Sequence, residues 1–139
     1  MRCVIANEKI CVLRFDPGEE VIAGLITFCE EKKIRAASFT AIGLSSEVML
    51  SYYRMEAKKF EDHKLTKELE IVGMNGNVSV CDEKTIVHAH GTFSDENLQV
   101  VGGHIKRIRV SLTCEVSLHL IDGEIKRTFD PIANTRLMQ

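Results

Sequence analysis

The amino-acid sequence predicts a single α+β domain, in which a mainly antiparallel β-sheet packs against one principal α-helix. Three observations support this class. The 139 residues are 45% apolar and 27% charged, which is ordinary for a globular domain with one buried core. One segment has clear helical periodicity, and many short apolar segments separated by turn residues surround it. No linker or internal repeat divides the chain, so residues 1–139 are expected to form one domain with a core from about residue 10 to 137.

The N-terminal part predicts a strand followed by the helix. Ile10–Phe15 (ICVLRF) is apolar and ends at the turn Asp16–Gly18. The helix is expected from Glu19 to Lys33, because glutamates favour the positive end of a helix and lysines the negative end. Between these ends, apolar residues follow helical spacing at Val21, Ile22, Leu25, Ile26 and Phe28.

The rest of the chain predicts strands. A buried strand is expected over Ala36–Ile42, broken at Gly43, and another over Glu47–Met55. The charge-dense segment Ala57–Lys64 predicts a solvated connection. Further strands are expected at Glu68–Val72 and Asn77–Val80 (separate, or one long bulged strand), Thr85–Phe93, Leu98–His104, Arg109–Leu120 and, after a turn at Asp122-Gly123, a short strand through Phe129.

Charge and cysteine content exclude several functional classes. The net charge of −2 gives no overall attraction to nucleic acid or to an anionic membrane, so nucleic-acid binding would need a local basic patch. The five scattered cysteines contain no C-x-x-C pair, which argues against a disulfide framework and against a cysteine-ligated zinc. The sequence shows neither a membrane-spanning segment nor a secretory signal. We therefore expect a cytoplasmic protein with reduced, mostly buried thiols.

The strongest candidate site lies in Val87–Ile105 (VHAHGTFSDENLQVVGGHI), which holds three of the five histidines. His88 and His90 project from one face of a strand, because residues i and i+2 share a face. The turn at Ser94–Asn97 should return the strand of His104 beside them, if the register is right. Imidazole nitrogen is a favoured zinc ligand, and a catalytic zinc usually has three protein ligands and one open position. This pattern predicts a zinc site at the three histidines.

Interpretations of these residues that do not involve a metal ion also stay open. The three histidines could instead form hydrogen bonds with neighbours on the strand or lie in a subunit contact. The pair Gly102-Gly103 indicates a close backbone approach, a bulge that redirects His104, or a plain turn. The other two histidines, His63 and His119, are expected to be surface or structural residues.

The same segment resembles the signature of the PPC (plants and prokaryotes conserved) domain, in which an H-x-H strand is followed by a G-G-H turn. Three further segments resemble other parts of that family in the same order: LRFDPGEEVIAGLITFCEEKKIRAASFTAIGLSSEVMLSYY, KELEIVGMNGNVS and VSLTCEVSL. The resemblance runs from about Leu13 to Leu137. It implies a compact α+β domain that assembles as a homotrimer, and a metal ion such as zinc at His88, His90 and His104. Prokaryotic members are described as predicted DNA-binding proteins.

Three functional hypotheses follow. The first, which we prefer, is a DNA-associated or regulatory homotrimer that holds zinc. A basic cluster at Lys106, Arg107 and Arg109 supports it, although these charges could simply be solvated. The R-G-R-P motif of plant members is missing. The second is a zinc-dependent enzyme or small-molecule binder with Glu115 or Glu70 as general base, unless these are paired strand carboxylates. The third is an interaction hub for regulatory proteins, with the histidines at the trimer contact.

Overall fold

The fold is built on a seven-stranded antiparallel sheet and a separate two-stranded hairpin. A computed structural model describes residues 1–139. The helix α1 spans Val21–Glu31. The strands in chain order are β1 (Arg2–Ala6), β2 (Ile10–Phe15), β3 (Ala37–Arg54), β4 (Lys59–Leu65), β5 (Leu69–Cys81), β6 (Lys84–Ser94), β7 (Val100–Leu120), β8 (Arg127–Asp130) and β9 (Thr135–Met138). The predicted α+β class is confirmed.

The strand order closes part of the sheet on itself. The order is β1-β2-β7-β6-β5-β3-β4, and β7 also pairs with β3. The four strands β7, β6, β5 and β3 therefore form a closed ring, and β1 and β4 are left as edges. The two longest strands, β3 with 18 residues and β7 with 21, bend at several register shifts between them, as β-bulges allow.

The core lies between α1 and one face of the sheet. Strand alternation places Leu13 and Phe15 of β2 on that face, and they belong to the same buried cluster as Leu25 of α1; none of the three is measurably exposed. Burying each such side chain stabilises the fold by roughly 1.5–3 kcal/mol. The carboxylate of Glu20 caps α1 by accepting hydrogen bonds from the backbone amides of Ile22 and Ala23, and it also accepts one from Ile108 of β7. This cap fixes the helix to the central strand.

Several predicted elements are confirmed. The strand Ile10–Phe15 has the predicted bounds, and the helix is two residues shorter at each end than the predicted Glu19–Lys33. The segment around the G-M-N-G sequence is one long strand, β5, with a register shift between Ile71 and Gly73. No helix combines the length and the hydropathy needed to cross a membrane. Four of the five cysteines are buried, and Cys3 is exposed.

Other boundaries were wrong, for identifiable reasons. Gly43 does not end a strand: it lies at a bulge inside β3 with a φ of +149°, where a Cβ atom would meet the backbone oxygen of Thr113 at 2.1 Å. Leu98–His104 and Arg109–Leu120 likewise merge into the single strand β7. The segment Ala57–Lys64 is not a solvated connection, because most of it belongs to the edge strand β4, where charged side chains are tolerated. Strands β1 and β9 were not predicted.

Candidate metal centre

The pairing of β6 with β7 brings the three histidines together. His88 and His90 lie on β6, and His104 of β7 is directly opposite His90 in the antiparallel register. Ala89 of β6 and Ile105 of β7 are buried in the core, so strand alternation turns the three imidazoles to the opposite face of the sheet. The predicted antiparallel return of the His104 strand is therefore confirmed.

A close backbone approach makes this pairing possible. A Cβ atom at Gly102 would meet the backbone oxygen of Gly91 at 2.7 Å, which is too short for any real side chain. Gly102 pairs with Thr92, two residues along β6 from His90. Glycine at this position therefore lets β7 lie against β6 beside His104, as one interpretation of the Gly102-Gly103 pair expected.

The three rings form a nearly equilateral triangle. Their centroids are 5.2 Å apart for His88 and His90, 5.2 Å for His88 and His104, and 5.4 Å for His90 and His104. One ligand nitrogen from each ring lies within 4.8 Å of the other two. A tetrahedral zinc with bonds of about 2.1 Å needs its nitrogens roughly 3.4 Å apart. Modest side-chain rotations close this difference, so the donor set fits a zinc ion.

The environment keeps two of these rings neutral. Burial, followed by the nearby His88, His90 and Lys106, lowers the pKa of His104 to about 4. Burial, followed by Arg127 and His90, also lowers the pKa of His88. A metal ion binds only the unprotonated form of imidazole. Both rings are therefore unprotonated at neutral pH, as metal binding requires.

The histidines line a pocket of about 430 Å³ that several distant segments enclose. The ring of Phe60 on β4 stacks on His104 with centroids 5.0 Å apart, and Tyr53 on β3 packs edge-on against Phe60 at 5.0 Å. The hydroxyl of Tyr53 donates a hydrogen bond to the backbone oxygen of Ala133, which ties this aromatic wall to the C-terminal hairpin, residues 127–138. The remaining lining residues are Ile86, Val87, Arg127, Thr135, Arg136 and Leu137.

The basic side chains of this pocket are two arginines, which are positively charged, and three histidines, which become positive on protonation. No aspartate or glutamate lines it, and its two formally charged groups are the guanidiniums of Arg127 and Arg136. Neither guanidinium belongs to any of the ion pairs in the molecule. The pocket therefore contains positive charge without a protein counter-ion.

Neutral acceptors hold Arg127 in place. Its Nε donates to the hydroxyl of Ser79 at 2.8 Å, and its Nη2 donates to the side-chain oxygen of Asn77 at 3.0 Å. Its Nη1 donates to the backbone oxygen of Arg136 across the hairpin at 3.2 Å. These contacts join β5 to the C-terminal hairpin and fix the guanidinium at the edge of the histidine cluster.

Arg127 also determines the tautomer of His88. Its Nη2 lies 3.3 Å from Nδ1 of His88. A guanidinium has donors only, so Nδ1 accepts, and the neutral ring carries its proton on Nε2. A metal ion at His88 must therefore compete with Arg127 for Nδ1 or replace the proton on Nε2. In most zinc sites the second nitrogen instead donates to a carboxylate or a carbonyl, which raises the basicity of the ligand.

The two glutamates predicted as general bases lie elsewhere. Glu70 lines a different cavity of about 590 Å³, five residues along β5 from the partner of His90, or about 16 Å along the strand. Glu115 is on the same strand as His104 but eleven residues away, roughly 36 Å along it. Neither lines the histidine pocket. No carboxylate is among the residues that line the pocket, although the charge of Asp62 acts on His104 from outside the lining.

The basic cluster after His104 is partly neutralised. Lys106 forms an ion pair with Asp62 at 2.7 Å and lies 5.4 Å from the centre of the Phe60 ring. Arg109 donates to the backbone oxygen of Gly18 at 2.7 Å. Arg107 is exposed and forms no ion pair. The cluster therefore offers phosphate fewer free charges than its sequence suggests.

The sequence patterns did not predict the residues that form the walls of the pocket. Phe60 was placed in a solvated connection, because the charged residues of KFEDHKL around it show no strand alternation. Arg127 and Arg136 lie near the end of the chain, where no motif marks them. Their role depends on where the hairpin folds back, which spacing along the sequence does not reveal.

Solved structures of similar proteins share this fold over almost their whole length. A metal-containing protein from Archaeoglobus fulgidus is 32% identical with a TM-score of 0.88, and the match covers 100% of this chain and 99% of that one. A protein from Ralstonia eutropha JMP134 described as a "putative DNA-binding protein" is 26% identical with a TM-score of 0.87, over 93% and 90% of the two chains. A PPC protein from Pyrococcus horikoshii is 25% identical with a TM-score of 0.84, over 96% of each chain.

A comparison with curated protein sequences gives no significant match. The family model for the Plants and Prokaryotes Conserved (PCC) domain, the family abbreviated PPC above, matches residues 5–122. This range includes the three histidines and ends before the C-terminal hairpin. On the extent of this match, the chain belongs to the Plants and Prokaryotes Conserved domain family.

Proposed function

We propose that this protein binds a zinc ion through His88, His90 and His104 and leaves one coordination position open to the pocket. The observation that carries the proposal is the convergence of three ligand nitrogens within 4.8 Å of one another on one face of two paired strands. The similarity to a metal-containing protein from Archaeoglobus fulgidus supports it. Bound zinc would supply a Lewis acid at the open position.

The surrounding residues favour ligand binding over general-base hydrolysis. Phe60 and Tyr53 shield one side of the cluster from water, and Arg127 orients His88 through its hydrogen bond to Nδ1. A hydrolytic zinc enzyme commonly needs a base beside the metal-bound water. Because no carboxylate lines this pocket, we propose a small-molecule-binding role, with zinc-dependent catalysis as the alternative.

Elemental analysis of the purified protein, after reconstitution with zinc, tests the metal site. We expect about one zinc per chain in the wild type and almost none in the double variant His88→Ala/His90→Ala. The double variant His63→Ala/His119→Ala is the matched control, because it also removes two histidines but leaves the cluster intact. A wild type without zinc, or a cluster variant that retains it, would show the proposal to be wrong.

A DNA-associated, regulatory role is the second candidate. It is supported by the 26% identical Ralstonia protein and by the cluster Lys106, Arg107 and Arg109. Each phosphate contact makes the affinity for DNA depend on salt, and three contacts predict a loss of roughly 40-fold between 50 and 200 mM salt. Fluorescence anisotropy with a labelled duplex measures this dependence. Absence of binding even at the lower salt concentration would exclude the role.

The homotrimer implied by the family is also a proposal. Light scattering on the eluting peak of a size-exclusion column should give three times the chain mass of 15.6 kDa. The same measurement on the His88→Ala/His90→Ala variant separates a metal site from a structural contact. A trimer that falls apart in this variant would assign the histidines to the subunit interface.

A further inference from the structure

The charge of the histidine pocket is unbalanced. With zinc bound as proposed, three neutral imidazoles would surround a doubly positive ion, and the guanidiniums of Arg127 and Arg136 line the same pocket. The molecule places its carboxylates elsewhere: no aspartate or glutamate is among the lining residues. Arg127 is part-buried and Arg136 is exposed, and neither guanidinium is paired with a carboxylate. Asp62, whose charge acts on His104 from outside the lining, is already paired with Lys106, so the protein provides the two arginines with no counter-ion of its own.

Both guanidiniums have hydrogen-bond donors to spare. Arg127 uses Nε, both Nη2 hydrogens and one Nη1 hydrogen on neutral acceptors, which leaves one Nη1 hydrogen free. The side chain of Arg136 makes no hydrogen bond and no ion pair within the protein, so all five of its donors are free. A planar guanidinium of this kind matches the two oxygens of a carboxylate or a phosphate group.

The rest of the pocket is suited to an organic body rather than to a bare inorganic ion. Ile86, Val87 and Leu137 provide aliphatic surface, and Phe60 and Tyr53 provide aromatic surface. The volume of about 430 Å³ falls in the range of about 300–1,000 Å³ that is usual for small-molecule sites.

The two arginines come from a part of the chain that the family model does not include. The match ends at residue 122, whereas Arg127 and Arg136 lie in the C-terminal hairpin. The histidines lie inside the match, and the residues that would recognise an anion lie outside it. Any contact that these two arginines make with a ligand therefore comes from residues outside the matched range.

We infer that the open metal position takes an oxygen of a small organic oxyanion, and that Arg136 and Arg127 bind the anionic group. This inference rests on the proposed zinc site and specifies its ligand. The shared chemistry is an oxyanion attached to a short apolar group, and the anionic group is a carboxylate or a phosphate. Arg136 is the residue that determines affinity, because its donors are otherwise unused.

The cobalt-substituted protein provides a test that separates the two proposals. The visible absorption of cobalt(II) appears when it binds the histidines and changes when its fourth ligand changes. The probes are 2-methylpropanoate, its neutral counterpart 2-methylpropanamide, and inorganic phosphate, each titrated into the cobalt-loaded protein. We expect a saturable spectral change with 2-methylpropanoate or with phosphate, and none with the amide.

The variants test the assignment to Arg136. Arg136→Gln should retain the cobalt spectrum and bind the anion roughly tenfold more weakly, which is the effect of losing one charge-assisted contact. Arg136→Lys should recover part of that affinity. Arg107→Gln, which removes an exposed arginine outside the pocket, should behave as the wild type.

Each outcome has a separate meaning. Failure of the cobalt spectrum to appear contradicts the zinc site itself. A normal spectrum that responds equally to the acid and the amide, or to neither acid nor phosphate, overturns the oxyanion inference and leaves the metal site standing. Equal anion affinity in Arg136→Gln and wild type also overturns it. A stronger response to phosphate than to 2-methylpropanoate identifies the anionic group as a phosphate, and the reverse identifies a carboxylate.

Discussion

The molecule has two comparable cavities with opposite chemistry. The histidine pocket is the smaller, at about 430 Å³, and the acidic cavity, lined by Lys67, Glu68, Glu70, Asp95 and Glu96 with three other residues, is the larger, at about 590 Å³. In the acidic cavity, Asp95 forms an ion pair with Lys67 at 2.9 Å and accepts hydrogen bonds from the backbone amides of Asn97 and Gln99. In the histidine pocket, the single hydrogen bond to any of the three rings comes from Arg127.

This difference shows that volume alone does not identify a binding site. In the acidic cavity, Asp95 is paired with Lys67 and accepts from the amides of its own turn, and Glu68 accepts from the hydroxyl of Ser111. In the histidine pocket, the imidazoles of His90 and His104, one donor of Arg127 and all five donors of Arg136 have no hydrogen-bond partner within the protein. Unsatisfied groups that the fold holds together at a cost in stability indicate function better than size does.

The largest expected effect comes from removing one ligand. His104→Ala should abolish stoichiometric zinc binding, because two imidazoles cannot replace the three-ligand set. The paired variant Glu68→Gln/Glu70→Gln in the acidic cavity should leave zinc content unchanged. Equilibrium dialysis with elemental analysis measures both. Loss of zinc in the glutamate variant would reverse the roles assigned to the two cavities.

Zinc should stabilise the wild type through the same residues. At a free zinc concentration one hundred times the Kd, binding adds about 2.7 kcal/mol to the free energy of unfolding. For a domain of this size, that raises Tm by roughly 8 °C. Thermal unfolding monitored by circular dichroism should show this rise, its reversal by a chelator, and its absence in His104→Ala. An equal rise in that variant would place the stabilising metal elsewhere.

The aromatic wall should contribute to stability independently of metal. Phe60→Ala removes the contacts of this half-buried ring with Tyr53 and His104 and should lower the free energy of unfolding by about 2 kcal/mol. Phe129→Ala is the control, because Phe129 is 58% exposed and should change stability by less than about 0.5 kcal/mol. Urea denaturation compares them. Equal midpoints would mean that Phe60 does not pack as described.

Acid should weaken the metal-free protein through His104. Its pKa falls from the ordinary 6.5 to about 4 on folding, so the unfolded chain binds more protons between these values. The free energy of unfolding should therefore decrease as pH falls from about 6.5 and level off below about 4, by about 1–2 kcal/mol after allowance for solvent around the half-buried ring. His104→Gln should lose this part of the pH dependence. Urea midpoints of both proteins across this range measure the difference.

The smallest effect is expected in the acidic cavity. Lys67→Ala breaks the ion pair with Asp95, but the lysine side chain is 52% exposed, so stability should change by less than about 0.5 kcal/mol. A larger loss of unfolding free energy in urea denaturation would show that this ion pair contributes more to stability than an exposed pair should. The comparison between the two cavities would then need to be revised.

Local patterns predicted the centre of the histidine pocket, and long-range contacts determined the rest. His88, His90 and His104 could be predicted because alternation along one strand and a short return turn place them side by side. Phe60 could not be predicted, because its position depends on the pairing of the edge strand β4 with β3. Arg127 contacts His88 across 39 residues of sequence, and no spacing rule reaches that far.

The same distinction explains the errors in strand boundaries. Gly43 looks like a strand end when only neighbouring residues are considered, because glycine is weak in strands. In the folded chain it is the point where β7 passes so closely that no other residue fits. The contact that requires glycine is with Thr113, seventy residues later, so only the tertiary structure distinguishes a break from a bulge.

The separation of the C-terminal hairpin from the main sheet has a consequence for how this architecture can diversify. The hairpin pairs only with itself as a two-stranded sheet, yet it contributes Arg127, Thr135, Arg136 and Leu137 to the pocket. Substitutions at the inward positions of β9 can therefore alter the cover of the pocket without disturbing the ladder that holds the histidines. Grafting this hairpin onto a relative would therefore change the residues that cover the pocket and leave the three histidines unchanged.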